Sequence, residues 1–164
     1  MALRLCSFVL AAGVLALADT GWAQEAKIAF GDLAQDTTLP VEVTAETFSV
    51  NNADGTAIFS GNVVVIQGEM KLSAAEVRVQ YNADQSAIDQ LIASGGVTIA
   101  NLGDAAEARE AVYTIDSGVI VLTGDVLLTQ GPSAMAGQKL TVNLKDGTGV
   151  MEGRVTTTFV PGGN

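Results

Sequence analysis

Segments of about ten residues rich in Val, Ile, Leu and Thr alternate with clusters of turn-forming residues along most of the chain. The clusters fall at 51–55, 68–69, 82–84, 101–104, 116–118, 131–133 and 145–147, recurring about every 15 residues. β-rich composition between Asn, Asp, Gly and Pro clusters predicts strands joined by hairpins. Within the segments the pattern alternates. Phe59, Gly61, Val63 and Val65 share one face, and Leu122, Gly124, Val126 and Leu128 share the equivalent one. Val77, Val79 and Tyr81 alternate with Glu76, Arg78 and Gln80, as Leu140, Val142 and Leu144 do with Lys139, Thr141 and Asn143. One apolar face per strand is the half-buried antiparallel pattern. Phe59, Val63, Val65, Val79, Tyr81, Tyr113, Leu122, Val126, Leu128 and Val142 are therefore expected to face inward.

The segments also repeat in sequence. Residues 59–68 align with 122–131, and 70–81 with 102–113, the latter keeping Ala74 with Ala106 and Tyr81 with Tyr113. Gly-x-Val occurs at Gly61, Gly95, Gly124 and Gly153, which divides the chain into about four copies of a two-strand unit. A glycine in mid-strand weakens a flat strand but permits a bulge or sharp bend. Bent at the same place in every copy, the hairpins stack as V shapes. The fold predicted is all-β, an antiparallel β-jellyroll or β-roll of stacked bent hairpins, open at its ends. Residues 104–111 have helix propensity on their own, but the repeat places them on a strand.

Arg4 precedes an apolar run from Leu5 to Leu17, too short to span a bilayer. Gly21-Trp22-Ala23 then supplies small residues at a cleavage site. Residues 1–23 are read as a signal peptide cut after Ala23, 24–40 as a segment leading into the roll, 41–160 as the roll and 161–164 as a tail. Cleavage removes Cys6, Trp22, Arg4 and Asp19 and leaves the net charge unchanged. The exported chain must then hold itself together without disulfides.

The net charge of −10 argues against nucleic acid as a partner, because phosphate backbones are bound by clustered cations. The chain has no His and a single Cys. His-based triads and bases and Cys-rich metal sites are thereby excluded. Its carboxylates lie singly at turns and on polar faces, so no enzyme, cofactor or metal site is expected. The Asn/Asp clusters at 51–54 and 101–104 lack the alternating ligands and closing Glu of a calcium loop and read as turns.

The ordered set 59–63 (FSGNV), 67–68, 72–74, 77–81 (VRVQY), 93–99 (ASGGVTI) and 122–126 (LTGDV), behind a signal peptide, resembles the LptA/OstA-like family of periplasmic lipopolysaccharide-transport proteins. The resemblance runs from about Val41 to Val155. It implies a jellyroll whose apolar interior shields lipopolysaccharide acyl chains in the periplasm. It also implies end-to-end joining to an inner-membrane-anchored partner, to outer-membrane components and to further copies of the same chain. A roll with a filled core, serving as a non-transporting scaffold, is the alternative. The last segment, 153–160, is β-rich and nearly uncharged. It is expected to leave an edge free for strand addition through Val155, Thr157 and Phe159.

Overall fold

The computed structural model describes residues 26–29, 36–51 and 55–159, the first four by their backbone. The expected signal segment and the C-terminal tail lie outside these residues. Among the described residues eleven strands form a single antiparallel sheet. They are β1 (Ala26–Ala29), β2 (Glu42–Thr44), β3 (Thr47–Asn51), β4 (Thr56–Gln67), β5 (Met70–Tyr81), β6 (Ile88–Asn101), β7 (Asp104–Thr114), β8 (Val119–Gln130), β9 (Ser133–Asn143), β10 (Thr148–Glu152) and β11 (Thr156–Thr158). From β4 to β9 each strand pairs with its neighbours in sequence, as hairpin turns require. Residues 104–111 lie within β7, so tertiary pairing overrides their helix propensity.

Each long strand bends at its middle. At Gly61-Asn62, Gly95-Gly96, Gly124-Asp125 and Gly153-Arg154 both residues have positive φ, between 45° and 87°. Between the pairs Ser60↔Glu76 and Val63↔Ala74, two residues of β4 face the single Ala75 of β5. The same bulge recurs where β6 passes Arg109 and β8 passes Gln138. A Cβ on the first glycine of each bend would lie within 3.0 Å of Glu46, Ala75, Arg109 or Gln138 respectively. The bends thus require glycine twice over, for conformation and for space.

The bends divide the sheet into two facing layers joined along a crease. The first holds β3, the segments 56–60, 76–81, 88–94, 110–114, 119–123 and 139–143, and β10 with β1. The second holds β2, the remaining halves of β4 to β9, and β11. β10 and β11 flank the Gly153 bend and run along successive halves of β9, as one interrupted bent strand. The core lies between the layers, with Val77, Ala93, Leu122 and Leu140 from the first and Val63, Leu128 and Leu72 from the second among its buried members.

The N-terminal strand departs from the expectation that residues 24–40 simply lead into the roll. β1 pairs with β10 at the far end, Ala26 opposite Met151, whereas β2 pairs with β4 at the near end.

Candidate functional site

Along each strand, inward residues come from the apolar face and meet those of the facing layer. Val63, Val65, Val79, Tyr113, Leu122, Val126, Leu128 and Val142 are buried to 2% exposure or less. Phe59 is partly buried against them. Tyr81 is not inside: it is 38% exposed and lines a hollow of about 280 Å³ with Val50, Gly55 and Gln85. A register shift between Gln80 and Tyr81 ends the alternation there. The match of Tyr81 with Tyr113 in the sequence repeat is also displaced by two residues. Bend residues Ala75 and Arg109 are the true equivalents, so Val79 occupies the place of Tyr113.

The interior is filled by its own side chains. Between Ile99, Ala106, Ile120, Leu122, Val142 and Leu144 a cavity of only about 10 Å³ remains. That is about the space of one water probe.

The ends of the roll are different. On β3, Phe48 and Val50 oppose the inward-facing Phe59 and Ala57, yet they are 56% and 55% exposed, since no strand lies beyond them in that layer among the described residues. The Phe48 and Phe59 rings stack at 4.7 Å, so the apolar row runs out to the rim. At the other end β11 pairs with β9 on one side, Thr157 opposite the buried Met135, and its second side carries no strand among the described residues. Phe159, two residues on, is 74% exposed, Thr157 is half-buried and Val155 is exposed. Among the described residues β11, on the segment read as the C-terminal edge, pairs only with β9 in the second layer. In the first layer the corresponding edge of β10 is occupied by β1.

Polar groups enter the interior at the strand ends opposite the crease. Gln67, Asn101 and Asp104 are buried there. Tyr113 O–H donates to Gln67 Oε1 at 2.8 Å, and Gln67 Nε2 donates to the carbonyls of Thr37 and Leu39 at 3.0 and 2.9 Å. Gln130 Nε2 donates to Asp104 Oδ2. Burial pushes the Tyr113 phenol above its ordinary pKa, with the Gln67 contact opposing, so the proton that makes this bond stays in place. Sequence reasoning gave Gln67 no place among the inward residues. Its place in the inward series Val63, Val65, Gln67 was the signal that could have found it.

On the outside, the bends carry exposed partners. Asn62 Nδ2 donates to Glu46, and Arg109 pairs with Asp125. Lys139 pairs with Glu152, and Lys145 Nζ donates to the Asp116 carbonyl. Among the described residues no group of three His, Cys, Asp or Glu side chains could hold a metal, and no helix is long and apolar enough to cross a membrane.

Residues 42–148 match the sequence model of the LptA/(LptD N-terminal domain) LPS transport protein family. The chain belongs to this family. The Escherichia coli (strain K12) lipopolysaccharide export system protein LptA is 28% identical over 171 residues, covering 97% of this chain and 84% of that protein. An uncharacterised protein of Rhizobium meliloti (strain 1021) is 26% identical over 133 residues, with 74% of this chain and 72% of that protein covered. Among solved structures, LptH of Pseudomonas aeruginosa has a TM-score of 0.69 at 17% identity, covering 77% of this chain and 99% of that one. It is described as the LptA-homologous periplasmic component of a lipopolysaccharide transport device. The fold of that neighbour is therefore shared over 77% of this chain.

Proposed function

We propose that this protein is a periplasmic carrier of lipopolysaccharide, taking acyl chains between its two layers and bridging inner to outer membrane components. The observation that carries this is the inward apolar row running unbroken to an exposed rim at Phe48 and Val50, in a member of an LPS transport family. Each methylene moved from water into such an interior contributes about 0.8 kcal/mol, so an acyl chain of a dozen carbons supplies ample driving force. The chain is itself anionic at −10. Binding is then driven by the acyl chains, while phosphates and sugars stay outside. Since the space between Ile99, Ala106, Ile120, Leu122, Val142 and Leu144 is only about 10 Å³, loading parts the layers. A filled core on its own suits the scaffold reading, but the relatives named as lipopolysaccharide export and transport components weigh against it.

Joining to neighbours uses the strand edges at the two ends. Among the described residues β2 and β3 pair with β4 at one end, and β11, with Thr157 and the flanking Val155 and Phe159, pairs with β9 at the other. Membrane-anchored transport components, or a second copy stacked head to tail, add strands there. Export by cleavage after Ala23 is checked by intact mass of the mature protein; retention of residues 1–23 would count against it.

The carrier reading is tested by placing a benzoyl-phenylalanine at Phe48 and, separately, at Ser49, which lies on the opposite face of β3. Irradiation in cells is expected to join lipopolysaccharide to position 48 and not to 49. Equal yields, or none, would remove the carrier reading.

A further inference from the structure

The roll is closed along its long side as well as by its crease. That side lies between two rows of turns. Gly118 and Lys145 belong to turns of the first layer, and Gln67 borders a turn of the second. The segment 36–41 passes between the rows before entering β2. Thr37 and Lys145 both reach within 3.2 Å of the place a Cβ on Gly118 would occupy. Thr37 and Leu39 also accept the two N–H bonds of Gln67, and Tyr113 reaches Gln67 from the first layer. One amide, 1% exposed, thereby ties the first layer, the second layer and the crossing segment together. Of the three bonds, the one from Tyr113 spans the two layers and must break when they part, whereas those to Thr37 and Leu39 hold the crossing segment to Gln67, and Thr37 meets the first layer beside Gly118 and Lys145. Against closure stands Asn101, whose Oδ1 is buried with no partner among the described residues. An unsatisfied buried acceptor disfavours the closed form and is relieved on opening.

We infer that Tyr113, Gln67 and residues 36–41 form a latch that holds the empty roll shut, and that its release lets acyl chains enter sideways between the turn rows. The inference rests on the carrier reading. The latch residues are positioning residues, and their readout is the rate of loading, which a purely structural role would leave unmoved. The probe is a dansyl-tagged undecanoate, whose emission rises in an apolar site, with purified lipopolysaccharide as competitor. Tyr113→Phe keeps the ring and removes the donor; loading is expected to quicken roughly threefold to tenfold, as loss of one neutral hydrogen bond implies. A second variant, Thr37→Cys with Lys145→Cys in a Cys6→Ser background, is joined by a short bis-methanethiosulfonate, each thiolate displacing one methanesulfinate. This ties residue 37 to the first layer, and loading should slow by about tenfold or more relative to the unjoined protein. An unchanged rate in Tyr113→Phe, or equal rates in joined and unjoined protein, would overturn the latch. Absence of competed loading in the unaltered protein would instead overturn the carrier reading beneath it.

Discussion

Val126 and Asp125 are adjacent and live in opposite environments. Val126 is 1% exposed between the layers, whereas the Asp125 carboxylate is mostly exposed and paired with Arg109. Val126→Asp places a carboxylate where no partner reaches it and is expected to lower stability by about 3 kcal/mol or more. Asp125→Asn keeps a residue tolerant of its left-handed φ of 48° and loses only an exposed ion pair, an effect under about 1 kcal/mol. Urea unfolding of the two variants separates them, and equal losses would overturn the inward assignment of Val126. The inward rows were legible because alternation survives each two-residue bulge on the glycine-bearing strands. They were less so on the partner strands, where the buried series breaks from Ala74 to Val77 and from Ala108 to Ala111. Tyr81 was misplaced because a local register shift leaves no mark in composition. Gln67 was missed because its partners come from residues 37, 39 and 113, none of them near in sequence.

The bent hairpin was the most legible element, since Gly-x-Val marks every bend. The two glycines of the second bend differ in their surroundings. A Cβ on Gly95 would lie 2.6 Å from the Ala75 Cβ, while Gly96 has nothing within 4 Å. Gly95→Ala therefore combines a clash with a left-handed backbone and is expected to cost about 2–4 kcal/mol. Gly96→Asn copies the residue found at the first bend and should change stability by no more than about 1 kcal/mol. Thermal unfolding monitored by circular dichroism checks the pair; a larger loss for Gly96→Asn would contradict the bend geometry. The turns at Asp84 and Asp146, unlike that at Asp36, were legible for a different reason. Asp36, Asp84 and Asp146 each accept from the backbone N–H and hydroxyl of the Ser or Thr two residues on. This local closure needs no tertiary information. The carboxyls of Asp36 and Asp84 are held below their ordinary pKa chiefly by the hydroxyls of Thr38 and Ser86.

For the whole molecule, the two rims decide what the roll can join. Phe48 and Phe159 lie at opposite ends and are the most exposed aromatic side chains of the described residues. If copies stack head to tail, Phe48→Asp or Phe159→Asp should weaken self-association by about tenfold or more, since each places a charge at a buried contact. The melting temperature should stay nearly unchanged. Sedimentation velocity over a concentration series measures the first and calorimetry the second, and unaltered association in both variants would exclude these rims as the junction. The stack of hairpins was readable from the repeat, but the return of the N-terminal strand to β10 was not. Four residues pairing across almost the whole chain carry no local signal, and the segment 24–40 has Gly31-Asp32-Leu33 in place of Gly-x-Val.

That return fixes an order of events in time. From β4 to β9 each strand finds its partner a few residues away, and short loop closures of this kind are fast. β1 must wait for β10, because Ala26 pairs with Met151 only after nearly everything between them exists. A chain threaded across a membrane from its N-terminus delivers β1 first and its partner almost last. In pulse-labelled amide exchange during refolding, protection within β1 should lag behind that of β5 to β8. The stretch that enters the new compartment earliest is thus the one that spends longest without a partner.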